Sequence, residues 1–167
     1  MRLWTIGAVL ILATGCAGGT TGATTPSPGV TAPTGTTTAP SVTPSPVTTG
    51  VACHGTPLFT GAGFPEVQGT ARDAELWGLL FSPVPFKRKK EIKIVWRMTG
   101  EGPLKAVATL PDGTRAKLAW GPEQHGGSTW HRPGDEWGTG FAFPKAGCWK
   151  IELSRTRGSG TVWLPVK

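Results

Sequence analysis

The chain is 167 residues long with a net charge of +7, Lys and Arg outnumbering Asp and Glu by 17 to 10, and it contains 25 Gly, 16 Pro, eight Trp, three Cys and no Tyr. Residues 17–50 hold no charged side chain and consist of Thr, Pro, Gly, Ala, Ser and Val. Such a segment buries too little apolar surface to offset its ordering entropy, which excludes a core there and confines the folded part to the 117 residues 51–167, a size suited to one domain.

The first element in chain order is a leader: Arg2, then an apolar run through Trp4, Ile6, Val9 and Leu10 to Leu12, then Ala13, Thr14, Gly15 and Cys16. The run is too short to span a bilayer. Leu12-Ala13-Thr14-Gly15-Cys16 resembles the lipobox of bacterial lipoproteins, with Leu one step further back than usual. The resemblance implies that 1–15 is a signal peptide, that Cys16 is diacylated and becomes the new amino terminus, and that the protein sits lipid-anchored on the extracytoplasmic face of the cell membrane.

Residues 16–50 read as the lipidated Cys followed by a disordered Thr/Pro-rich linker like the stalks of surface proteins. As a flexible coil it spans roughly 30 Å, and as polyproline II about 100 Å, so the domain can stand clear of the membrane.

From residue 51 onward apolar residues recur at every second position between turn signals, the pattern of strands. Ile92, Ile94, Trp96 and Met98 share one face of a strand over 91–98, with Lys93 and Arg97 opposite. Leu76-Trp77-Gly78-Leu79-Leu80-Phe81 is apolar on both faces. Periodicity alone fits a buried strand or a short helix there, and a strand is expected. A hairpin is expected over 104–120, turning at Pro111-Asp112-Gly113, with Ala116, Leu118 and Trp120 inward. Trp149, Ile151 and Leu153 alternate with Lys150 and Glu152, and a last hairpin turns at Gly158-Ser159-Gly160 and returns through Val162, Leu164 and Val166. About seven short strands predict an all-β, immunoglobulin-like β-sandwich. The stretch 143–153, Phe-Pro-Lys-Ala-Gly-Cys-Trp-Lys-Ile-Glu-Leu, resembles the penultimate strand of immunoglobulin-like domains in secreted bacterial surface proteins. That likeness implies an architecture and no activity.

With Cys16 lipidated, Cys53 and Cys148 form an even pair in an oxidising compartment, and a disulfide is expected. If Trp149 faces the core, Cys148 lies on the outer face with Lys150, so the bond ties the start of the domain across the outside of a sheet.

Residues 121–140 read as one long loop rich in chemistry. Trp130, His131, Arg132, Asp135 and Trp137 are its candidate ligand contacts, and Trp163, out of phase with its strand, is the indole expected to be most exposed. Lys87, Arg88, Lys89 and Lys90 form a basic patch suited to anionic wall polymers or lipid headgroups, or to a solvated sheet edge. Nucleic acid is not an expected partner outside the cell.

Two further function classes have weaker footing. His54, His125, His131 and the two cysteines carry the atoms for zinc or copper, but neither His nor Met follows Cys148 as a blue-copper site requires, and a disulfide consumes both thiolates. Glu123, Asp135 and Glu136 could supply an acid and a base for an envelope hydrolase, yet Asp135 and Glu136 point apart when extended and no Gly-x-Ser-x-Gly motif occurs. The expected function is a non-catalytic binding or spacer domain without metal or cofactor, held to the membrane by its lipid and meeting a cell-wall polymer or another envelope protein.

Overall fold

Alternation makes 91–98 a strand with one face in the core, filled by Ile92, Ile94, Trp96 and Met98, all 3% exposed or less. The computed structural model describes residues 49–61 and 63–167, and the leader, Cys16 and most of the 16–50 linker lie outside them. Among the described residues no helix is long and apolar enough to cross a membrane. The expected all-β sandwich is the observed architecture, with eleven strands among the described residues where about seven were expected. The strands are β1 (Gly50–Val51), β2 (Pro57–Phe59), β3 (Glu66–Gln68), β4 (Thr70–Arg72), β5 (Leu76–Leu80), β6 (Glu91–Met98), β7 (Lys105–Thr109), β8 (Lys117–His125), β9 (Asp135–Ala142), β10 (Gly147–Ser154) and β11 (Ser159–Val166). The surplus comes from two- and three-residue strands at the sheet edges, too short to show alternation.

A seven-stranded antiparallel sheet runs β1-β2-β3-β5-β6-β9-β8 and faces a four-stranded one, β4-β11-β10-β7. The large sheet contributes Leu76, Leu80, Ile94, Trp96, Trp137 and Phe141 to the core, and the small sheet contributes Ala106, Ala108, Trp149, Ile151, Leu153, Val162 and Leu164. Inside this apolar layer the Trp96 indole N–H donates to the hydroxyl of Thr139 at 2.8 Å, so a buried donor and a buried hydroxyl satisfy each other. The segment 76–80 is a strand, as expected.

The hairpin expected over 104–120 is corrected by the structure. Its turn forms, with Gly113 donating to the carbonyl of Leu110 and Leu110 to that of Thr114. The arms stay together as far as the Thr109–Arg115 bridge and the bond from Ala116 to the carbonyl of Ala108, and beyond it they part: β7 pairs with β10 in the small sheet and β8 with β9 in the large one. Pro-Asp-Gly specifies the local turn but not which neighbours the arms find afterwards.

The disulfide joins Cys53 to Cys148 with Cα atoms 5.9 Å apart. Cys148 is half-buried beside the fully buried Trp149, on the outward side of β10, as alternation requires. The tied segment is a single 3-10 turn, Cys53–Gly55, lying against β11. His54 sits on the ring of Trp163, centroids 4.2 Å apart, and Thr56 accepts the Trp163 backbone N–H at 3.0 Å. Trp163, expected to be the best exposed indole, is therefore half-covered. Among the described residues the first paired one is Gly50, and Thr49 donates to the carbonyl of Leu58.

Candidate functional site

The long loop expected over 121–140 is shorter than that. β8 continues to His125 and β9 starts at Asp135, so only 126–134 is loop. β8 stays paired through irregular register between Leu118 and Trp120 and between Trp120 and Glu123, and Gly121 takes a φ of 77° that favours glycine.

This loop folds back over the outer face of the large sheet and is tied down there by charge. Register places Trp77, Arg97, Glu136 and His125 in one row across β5, β6, β9 and β8. Glu136 is only 3% exposed, and its Oε2 accepts from Arg97 Nε at 2.9 Å and from the Ser128 hydroxyl. Its Oε1 lies 2.9 Å from His125 Nδ1, off the line of a hydrogen bond. Arg97 also donates to the carbonyl of Arg132 at 2.9 Å, which pins the loop to the sheet. Arg132 in turn donates to Glu66 at 2.7 Å and places its guanidinium 4.4 Å from the centre of the Trp77 ring.

The five expected contact residues divide accordingly. Trp137 is 2% exposed in the core under Arg155, whose guanidinium lies 4.5 Å from its ring, so it presents no surface to a ligand. Strand alternation explains this correction: β9 extends further than the loop reading allowed, and Trp137 falls on the same face as Phe141. Asp135 is held by Arg155 at 2.7 Å, and Arg132 is engaged as described. Trp130 is half-buried with an enclosed indole N–H that makes no hydrogen bond, while His131 is exposed. The structure thus brings Arg132 close to Trp77 and Glu66 and separates Trp137 and Asp135 from both.

Ser128 gives its hydroxyl to Glu136 and not to an imidazole, and Asp135 points to the opposite side of β9 from Glu136. The histidines are dispersed, His54 on Trp163 and His125 on Glu136, and among the described residues no three His, Cys, Asp or Glu side chains are grouped as metal ligands.

The far end of the large sheet is different in character. Lys87, Arg88, Lys89 and Lys90 are all exposed in the turn before β6, where backbone hydrogen bonds from Arg88 to Lys167 and from Lys89 to Phe143 hold the chain. Folding adds Arg115 and Lys117, which line one surface hollow with Lys89. Among the described residues none of these six cations has a carboxylate within 4 Å; Asp112 pairs with Lys145 at 3.0 Å and Glu91 accepts from the Trp120 indole. Beside them an open groove of about 300 Å³ lies between the 82–85 segment and Ile92, with Lys87, Lys90 and Lys167 on its rim. Arg115 and Lys117 escaped the sequence reading because nothing in their spacing ties them to 87–90.

Trp120, expected to face inward, is a further correction. Leu118 pairs with Phe141 on the core side, but the register shift pairs Trp120 with Gly140, which turns the indole to the outer face. There it lies against the backbone of β9. A Cβ on Gly140 would stand 2.1 Å from the indole nitrogen, and one on Gly138 3.0 Å from its six-membered ring. The indole N–H donates to Glu91 Oε1 at 2.8 Å. The available signal was Trp137-Gly138-Thr139-Gly140-Phe141, in which glycines at alternate positions mark a face that something else covers.

No family model matches the chain, and no curated protein or solved structure matches it.

Proposed function

We propose that this is a lipid-anchored envelope protein whose β-sandwich binds an anionic polymer of the cell wall without catalysing a reaction. The observation that carries the reading is the basic end of the sandwich. Lys87, Arg88, Lys89, Lys90, Arg115 and Lys117 come from two separate stretches of chain, are exposed, and make no ion pair among the described residues. Six cations outnumber the one carboxylate beside them, Glu91, which the Trp120 indole N–H holds, and such an excess of like charge raises the local concentration of a polyanion and speeds its capture. Screening within about 8 Å in physiological salt limits that attraction to a ligand that reaches the surface, and the 16–50 linker is long enough to carry the domain outward to one. The lipobox-like leader supports the anchor, and the Cys53–Cys148 bond fits an oxidising compartment.

The test is retention of the full chain on purified anionic wall polymer across a salt series. The wild type should be retained at low salt and released as salt rises, and replacing Lys87 to Lys90 together with Arg115 and Lys117 by Ser should weaken retention about tenfold or more. Equal retention of the two proteins rejects the basic end as the binding surface, and capture by anionic lipid vesicles in place of the polymer reassigns it to headgroups. Labelled palmitate should enter the wild type in a bacterial host and not Cys16→Ser.

A further inference from the structure

We infer that Trp120 is a stacking platform for the sugar rings of the polymer, so that the ligand is an acidic glycan and not merely a polyanion. This rests on the binding reading above and adds the class of ligand.

The platform is built rather than incidental. Trp120 is turned outward by the irregular register of β8, and two glycines on β9 leave the space its ring occupies. With one face of the indole against Gly138 and Gly140, the opposite face is directed away from the sheet, and the residue is half-buried as that arrangement requires. The ring is fixed in plane by the bond from its N–H to Glu91, at an exposed position. A flat apolar face held rigid, with polar groups at its edge, suits the C–H face of a sugar and its ring hydroxyls, as aromatic rings contribute large contact area at little entropic cost.

The neighbours extend the same character. Lys93 pairs with Gly140 and lies beside the platform, and its ammonium stands 4.5 Å from the centre of the Phe81 ring. Phe81 packs at a tilt against Phe64, ring centroids 4.3 Å apart, and Phe64 is 51% exposed. From Phe81 through Lys93 and Gly140 to Trp120 is three strand spacings, about 14 Å, so aromatic rings flank a cation across the outer face. The next row toward the end of the sheet carries Glu91, Ala142 and Lys117, which joins the strip to the basic end. A glycan bearing acidic groups therefore finds ring platforms and cations on one continuous surface.

Two probes separate the ring contribution from charge: polygalacturonate, which has sugar rings and carboxylates, and inorganic polyphosphate, which has charge alone. In titrations of the full chain, Trp120→Ala should weaken polygalacturonate binding about fivefold or more and leave polyphosphate unchanged. The Trp120 indole N–H resonance of the wild type should move on adding polygalacturonate and stay in place with polyphosphate, which keeps the test intact if the alanine variant fails to fold. An unmoved resonance, or equal weakening of both probes, overturns the platform. The basic-end variant tests the underlying reading separately, since loss of polyphosphate binding there is required whatever Trp120 does.

Discussion

The two ends of strand β9 are built from similar residue types and behave oppositely. Around Glu136, charged and polar side chains are spent on one another: Arg97, His125 and Ser128 converge on one carboxylate, and Arg132 is shared between Glu66 and Trp77. Around Gly140 and Ala142, cations from 87–90 and 115–117 stand without partners, and an indole lies flat on glycines. Polar richness is therefore a poor guide to a binding surface. What distinguishes a surface that can take a ligand is polar capacity left over after folding, because a buried group already paired has nothing to offer and costs much to release.

The contrast can be tested from its strongest consequence downward. Removing the disulfide sets the scale for the whole domain. Cys53→Ser with Cys148→Ser opens a loop of sequence separation 95 and should lower stability by about 4 kcal/mol in the chain-entropy account, read as a drop in the denaturant midpoint. At the self-satisfied end, Glu136→Ala leaves Arg97 without its carboxylate and should cost about 3 kcal/mol while sparing salt-dependent retention on anionic polymer. A stable variant that lost retention would show that the two ends are not independent.

At the open end, Gly140→Ala drives a methyl group into the indole of Trp120. It should cost about 2 kcal/mol and displace the ring, seen as a shifted indole N–H resonance. The smallest effect belongs to Asp112, whose carboxyl is held at about 2 against an ordinary 3.8 by the Thr114 hydroxyl and backbone N–H and by Lys145. Because the folded-state value is depressed, its contribution is complete above about pH 4 and disappears as pH falls through about 2. Asp112→Asn should flatten the acid limb of the stability curve over that window and change nothing at neutral pH beyond the loss of this contribution.

Much of the sandwich was legible before any coordinates. Alternation placed Ile92, Ile94, Trp96, Met98, Trp149, Ile151, Leu153, Val162 and Leu164 inward, and the same parity put Cys148 outside with its bond to Cys53. The candidate site was less legible. The Gly, Asp and Glu around Trp137 suggest a loop, yet they include the buried Glu136 and the glycines that seat Trp120. Alternation puts Arg97 on the outer face, but its partner Glu136 and the pairing of Glu66 with Arg132 leave no trace in the sequence, since each is notable only opposite a residue distant in the chain.

Local physics thus settled strand periodicity, the Pro-Asp-Gly turn and the faces of the regular strands such as 91–98 and 149–153, since these depend on near neighbours in the chain. Folding alone chose which strands pair, sent the two arms of the 111–113 turn into different sheets, turned Trp120 outward through a shift in register, and gathered Arg115 and Lys117 beside Lys89. Those outcomes depend on contacts between residues far apart in sequence, where a single bulge reverses every side chain beyond it and no nearby residue records the change.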